Sequence, residues 1–168
     1  MPWAHDEPQT VAEKVALIRT FRGRFDLGED FGYAILDRAE SRVLGGSGLH
    51  ARVGPGAREI GYWIRPDAEG RGYVTEAVAA LTRVGFEVDR LERIEIRCDP
   101  ANTRSAAVPR RLGYEHEATL RRRVDDADGR LRDVMLFTLF ADAYAASPAA
   151  RAVLTAYDAA GGRILGPA

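Results

Sequence analysis

Ile60 to Thr75 reads IGYWIRPDAEGRGYVT, and this stretch decides the fold. A short apolar strand, Glu59 to Ile64, is stopped by Pro66. The chain then tightens through Gly70-Arg71-Gly72 and enters a helix whose Val74, Ala77, Val78, Leu81, Val84 and Val88 form one apolar stripe. Where a strand passes through glycines into a helix, the first helical N–H groups lack partners and the positive end of the helix dipole faces outward. Glycine also lets an anion approach the backbone closely. On this loop alone two explanations stay open: an anion cradle, or a plain strand-to-helix turn that needs its glycines.

Working outward, Arg93 to Tyr114 reads RIEIRCDPANTRSAAVPRRLGY. Ile94 and Ile96 alternate with charged residues, as a strand requires. Asn102 or Thr103 caps a short helix ending at Leu112, with Gly113 as its terminator. Pro109 removes a hydrogen bond inside that helix and predicts a kink. Upstream, Thr10 to Phe25 has helical apolar spacing and a possible capping box of Thr10 and Glu13. Phe31 to Leu36 and Arg42 to His50 read as a hairpin. Downstream, Glu115 to Val124 and Leu131 to Phe140 are two strands joined by a loop ending Asp128-Gly129. Ser147 and Pro148 then open a last, alanine-rich tail helix over residues 141–168. The order of elements predicts an α/β (α+β) domain over residues 1–140, a mixed sheet flanked by helices.

A chain of 168 residues suggests one core, and a net charge of −1 gives no reason to invoke nucleic acid or an anionic membrane. Cys98 is the sole cysteine, so no disulfide forms within the chain, and on a strand it reads as a small core residue. The polar start, MPWAHDEPQT, and the lack of a long apolar run predict a soluble cytoplasmic protein. His5, His50 and His116 stand singly, without metal-ligand spacing, so no metal is expected. Asp126-Ala127-Asp128-Gly129 reads as a hairpin turn rather than a calcium loop, and Arg121 to Arg123 as a solvated edge, with contact to an acidic substrate or a phosphate as the alternative.

The glycine junction and the Arg93–Tyr114 segment, linked in this order, resemble the Gcn5-related N-acetyltransferase (GNAT) family, and within it the branch that acetylates ribosomal-protein amino termini. The resemblance covers about Pro2 to Phe140 and is strongest from Glu59 onward. Of the family's glycine pattern only Gly72 fits, with Glu69 and Val74 at the other places. Pro109 stands where many relatives carry a tyrosine. The resemblance implies a mostly antiparallel sheet in which two adjacent strands splay to admit the pantetheine arm of acetyl-CoA. It implies that Trp63, Ile64, Glu69, Gly70, Arg71, Gly72, Tyr73, Val74 and Thr75 surround the coenzyme, with a backbone N–H near Tyr62 to Ile64 stabilising the oxyanion. Asn102 would bind the pantetheine, Ser105 would protonate the sulfur, and Glu59 would take the proton of the amine. Helix capping by Asn102 and Ser105, and a solvated carboxylate at Glu59, are the alternative readings. Glu76 matches a place of the branch pattern and supports packing or the loop.

The implied reaction is transfer of an acetyl group to a primary amine, with a peptide amino terminus, a small metabolite and an antibiotic all open as acceptors. A non-catalytic module that binds acyl-CoA or a partner protein is the second reading. The start at Met1-Pro2-Trp3 resembles the loop after the family's first helix, so the usual first strand and helix are expected to be missing. Phe31 to Leu36 should then form a bare sheet edge, answered by a start codon further upstream, a homodimer contact, or Met1 to Gln9 folded back.

Overall fold

The computed structural model describes residues 10–125 and 128–167. The expectations for Met1 to Gln9, for the Asp126-Ala127 part of the hairpin turn, and for Ala168 lie outside the described residues.

The chain runs through α1 (Val11–Asp26), β1 (Phe31–Leu36), β2 (Val43–His50), β3 (Ala57–Ile64), α2 (Tyr73–Glu87), β4 (Arg93–Cys98), α3 (Thr103–Leu112), β5 (Glu115–Asp125) and β6 (Leu131–Phe140). One six-stranded sheet has the order β1-β2-β3-β4-β6-β5. Every pairing in it is antiparallel except β3 with β4, which α2 connects as a crossover. The parallel register is short: Ala57↔Arg93, Arg58↔Ile94 and Glu59↔Glu95, after which the two strands have no paired residues. A gap therefore opens in mid-sheet at Glu59, the feature that positions the site.

The core lies between the sheet and α2 with α3. Leu49 of β2, Ile60 of β3, Val78 of α2, Ile94 and Ile96 of β4, and Phe137 and Leu139 of β6 are buried together. Each such side chain contributes roughly 1.5–3 kcal/mol relative to exposure. Close approach of α2 to β4 depends on Gly85, where a Cβ would meet Ile94 Cδ1 at 2.8 Å. The alternation of β3 sends Ile60 and Tyr62 to this helical side, and Glu59, Gly61 and Trp63 to the opposite face.

Two expectations need correcting. The apolar stripe of α1 buries nothing among the described residues: Val11, Val15, Ile18 and Phe21 are exposed. Leu17 and Phe25 are half-buried, and Phe25 lies edge-on to Phe31 and Tyr33 at 5.3 and 5.4 Å. The capping box of Thr10 and Glu13 forms as read. The tail, expected as a helix over residues 141–168, is not one over its described residues 141–167. It has a single turn, α4 (Ala141–Tyr144), a 3-10 turn (Pro148–Arg151) and a small hairpin of β7 (Ala156–Tyr157) and β8 (Arg163–Leu165). Alanine propensity loses here to the β-branched Val153 and Thr155, and to a turn in which Asp158 Oδ1 accepts from the N–H groups of Ala160 and Gly162. Ser147 opens the 3-10 turn without a side-chain cap bond. β1 is an edge strand of the sheet, as read for Phe31 to Leu36.

Candidate active site

The glycine junction has the geometry of an open helix start. Gly70 and Gly72 adopt φ values of +73° and +85°, the left-handed region, and a Cβ at either would meet no atom within 4 Å. The glycines thus serve the backbone angle, and the space above them is empty of side chains. Gly72 is the N-cap of α2 and supplies no side-chain cap. Glu76 N–H is bonded to the Gly72 carbonyl, which leaves the N–H groups of Tyr73, Val74 and Thr75 without helical carbonyl partners. Arg71 is exposed on the same loop. Glu69 turns its carboxylate to Arg104 at the start of α3, so an ion pair bridges the loop and α3. Ile64, Tyr73 and Thr75 are half-buried, while Val74 packs on the core. The Trp63 indole lies over Gly46 on the opposite face of the sheet, so on this side Trp63 offers only its backbone.

Across the gap, Tyr62 reaches from β3 to α3. Its hydroxyl donates to the Ser105 carbonyl at 2.9 Å, and Ser105 Oγ donates to the Tyr62 hydroxyl at 3.1 Å. Pro109 explains the first bond. A helix pairs the N–H of residue 109 with the carbonyl of residue 105. Proline has no N–H, so the Ser105 carbonyl is released and Tyr62 takes it. The helix continues through the buried Pro109 from Thr103 to Leu112. Asn102 caps α3, its Oδ1 accepting from Ser105 N–H at 3.0 Å, and Gly113 ends it in the left-handed region. Sequence, loop, strand and helix thus bring Tyr62, Asn102, Ser105 and the start of α2 to the same gap.

Burial pushes the Tyr62 hydroxyl up from 10.0 to about 12, against an opposing pull from the Ser105 bond. It is therefore a proton donor throughout the neutral range. Burial likewise raises the Cys98 thiol, which lies against Ser105, and keeps it a neutral neighbour. Tyr114, whose burial raises it further, is inside the core with its hydroxyl 2.7 Å from Thr82 Oγ1. Both tyrosines hold protons in the folded chain that the unfolded chain gives up near pH 10. A raised folded value stabilises fully below the unfolded one and is lost as pH rises through the folded one. The melting temperature is expected to hold to about pH 9 and to fall from pH 10 towards 12, less steeply in Tyr62→Phe. Thermal melts across that range check this, and equal slopes would exclude a contribution from Tyr62.

Glu59 is buried at the point where the gap opens, and both its oxygens face arginines: Oε1 accepts from Arg52 at 2.6 Å and Oε2 lies 3.7 Å from Arg97. Arg97 also pairs with Glu95 at 2.9 Å. Sequence reading did not name the Tyr62 hydroxyl. The only local hint was its place in the GYW run beside the predicted loop; its partner is set by a proline 47 residues away, at Pro109. A separate cavity of about 550 Å³ lies between α2, β1 and the tail, and Glu76 lines it with Tyr33, Ser47, Tyr73 and Val153. Tyr62, Asn102 and Ser105 are not part of its wall. Among the described residues no group of His, Cys, Asp or Glu is arranged to hold a metal ion, and no helix is long and apolar enough to cross a membrane.

Comparison with known proteins agrees with this architecture. The acetyltransferase (GNAT) domain family matches residues 1–115. An uncharacterized N-acetyltransferase, p20, of Bacillus licheniformis is 34% identical over 119 residues, covering 70% of this chain and 66% of its own length. YdaF of Bacillus subtilis (strain 168), provisionally named a ribosomal N-acetyltransferase, is 41% identical over 63 residues, which cover 38% of this chain and 34% of YdaF. The chain thus matches under two thirds of the length of these curated relatives. The crystal structure of ribosomal-protein-S5-alanine acetyltransferase from Vibrio fischeri shares the fold, with a TM-score of 0.70 at 22% identity over 82% of this chain and 79% of that one. The chain belongs to the GNAT acetyltransferase family.

Proposed function

We propose, from that membership, that the chain moves an acetyl group from acetyl-CoA to a primary amine by direct attack in the gap between β3 and β4. One observation carries the reading. The parallel pairing stops at Glu59↔Glu95, and the opening is flanked by the uncapped start of α2 and by the Tyr62–Ser105 hydroxyl pair. Acetyl-CoA fits the residues present: the free amides of Tyr73 to Thr75 suit its pyrophosphate and Arg71 adds charge. The Asn102 side-chain amide still has N–H groups to give to pantetheine carbonyls, because its cap bond uses Oδ1 alone. Bound there, acetyl-CoA supplies the activated acyl group. Backbone N–H groups of Tyr62 to Ile64 that face the gap have no β4 partner and are placed to hold the oxyanion. Ser105 then protonates the departing thiolate, and Tyr62 resupplies it. Glu59, held by two arginines, shapes the mouth of the gap.

The names of YdaF and of the Vibrio fischeri enzyme favour a protein amino terminus as acceptor. A cytoplasmic location and a homodimer belong to the same proposal. The position of β1 at the sheet edge and the exposed stripe of α1 favour pairing of two copies, which light scattering would read as twice the mass.

Isothermal titration with acetyl-CoA, combined with free-thiol release against a panel of amines, tests the function. Binding without thiol release from any amine would instead favour the non-catalytic acyl-CoA or partner-binding module, which Pro109 and the Glu69–Arg104 pair support. Glu69→Gln removes a negative charge from the phosphate loop and frees Arg104 to turn to the ligand. It is expected to tighten acetyl-CoA binding about threefold, in keeping with a partly exposed pair worth under about 1 kcal/mol. Weaker binding in the same titration would show the bridge to be part of the site.

A further inference from the structure

We infer that His50, oriented by Asp30, is the base that takes the proton from the acceptor ammonium, on the face of the sheet opposite Ser105. The inference rests on the acetyltransferase reading above and adds the side from which the amine enters. His50 Nδ1 lies 2.8 Å from Asp30 Oδ1. A carboxylate only accepts, so Nδ1 carries the hydrogen and Nε2 is left with a free lone pair in the neutral ring. The position of Nε2 is fixed by glycines. The imidazole lies on Gly48, where a Cβ would come within 2.9 Å of Nε2, and it leans towards Gly61, where a Cβ would stand 3.4 Å from Nε2. In the register Gly32, Gly48 and Gly61 are direct cross-strand neighbours, so a row without side chains crosses β1, β2 and β3. Gly61 is the second residue past the last β3–β4 pair, and Trp63 beyond it is exposed. The space over Gly61 is thus bounded by His50 Nε2 and the Arg52 guanidinium, at the mouth of the gap.

The next residue, Tyr62, points to the other face and meets Ser105. Base and acid therefore stand on opposite sides of one opening, so that the amine and the sulfur are served by different groups. The charged groups around His50 are Asp30 before β1, Arg52 after β2, and Glu59 on β3, the last already held by Arg52 and Arg97. Nε2 is the free acceptor in this set. The ammonium gives one proton to Nε2, and the neutral nitrogen bonds to the thioester carbonyl carbon. The carbon–sulfur bond breaks, and the thiolate takes a proton from Ser105, which Tyr62 and then solvent restore. The amide nitrogen loses its second proton to the same imidazole once that has passed the first to solvent. Each turnover yields an amide, a free thiol and one net proton.

The test uses the full chain, acetyl-CoA, and three acceptors: a pentapeptide amide with a free N-terminal alanine, one with serine, and spermidine, with the N-acetylated peptides as blanks. His50→Gln is expected to bind acetyl-CoA as the parent does and to lose about a hundredfold in thiol release at pH 6.5. The loss should narrow above pH 9, where the free amine is abundant without help. His50→Gly should regain thiol release when imidazole is added, a rescue that a merely structural role would not give. Asp30→Asn should lower turnover less than His50→Gln. Nitrogen-15 spectra of the parent should show the Nδ1–H tautomer of His50, a readout that needs neither acceptor nor variant. An Nε2–H tautomer, or a folded His50→Gln with parental turnover across the pH range, overturns the inference. If the parent itself fails to bind acetyl-CoA, it is the acetyltransferase reading that falls.

Discussion

Gly72→Asp is expected to abolish acetyl-CoA binding while leaving the chain folded. Gly72 sits at φ +85° as the N-cap of α2, and the three N–H groups after it have no helical carbonyl partner. Aspartate tolerates the left-handed region better than most residues and is a favoured N-cap. The helix itself should therefore survive, with at most about 1 kcal/mol of strain set against the new cap. What the variant loses is the anion site. Its carboxylate would accept the N–H groups that a pyrophosphate needs and would place a negative charge against two more. Gly72→Asn separates the two effects, being nearly the same shape and αL-tolerant without the charge. Titration should show weakened binding for Asn and none for Asp, with both melting within a few degrees of the parent. A Gly72→Asp chain that is folded and binds acetyl-CoA with parental affinity would place the phosphate site elsewhere.

What the sequence made legible follows from range. The glycine junction, the α2 stripe and the caps Asn102 and Gly113 are decided by residues a few places apart, and all appear in the structure where the sequence puts them. The splayed mixed sheet came from the resemblance, and the register shows it as a pairing that ends at Glu59↔Glu95. What stayed hidden depends on partners brought together by the sheet. Glu59 read as a base or a solvated carboxylate, and nothing nearby in sequence announces its ion pair with Arg97, 38 residues on, across the parallel pairing. His50 read as a lone histidine because Asp30 reaches it only when the hairpin closes. The tail was misread for a different reason. Its alanines favour helix locally, yet it docks on the core through Tyr144 stacked on Phe86, the buried Ala149 and the bond from Arg83 to the Ala152 carbonyl, and its turn residues decide the rest. The exposed stripe of α1 shows the reverse limit: helical periodicity fixes the element but not what covers it.

The largest effect on turnover is expected from the Tyr62–Ser105 pair. A proline at 109 looks like a defect, since it stands where many relatives carry the tyrosine that serves the sulfur. The structure gives it a consequence instead. Without the Pro109 N–H, the Ser105 carbonyl is open, the Tyr62 hydroxyl binds it, and that bond holds the phenol 3.1 Å from Ser105 Oγ. A tyrosine is thus supplied from β3 rather than from α3. Burial keeps it protonated throughout the neutral range, and in the proposed reaction its hydrogen turns from the Ser105 carbonyl to refill Ser105 Oγ. Ser105→Ala and Tyr62→Phe should each lower thiol release by about tenfold to a thousandfold, with acetyl-CoA affinity changed far less. The double variant should cost little more than the worse single one, because the two hydroxyls act as one unit. Pro109→Ala sharpens the test. It restores a helical N–H that competes with Tyr62 for the Ser105 carbonyl, so it should stabilise α3 yet lower turnover, and adding Tyr62→Phe to it should then cost less than in the parent. Full additivity across that cycle, measured as thiol release, would mean that proline and tyrosine act independently and that the donor is Ser105 alone.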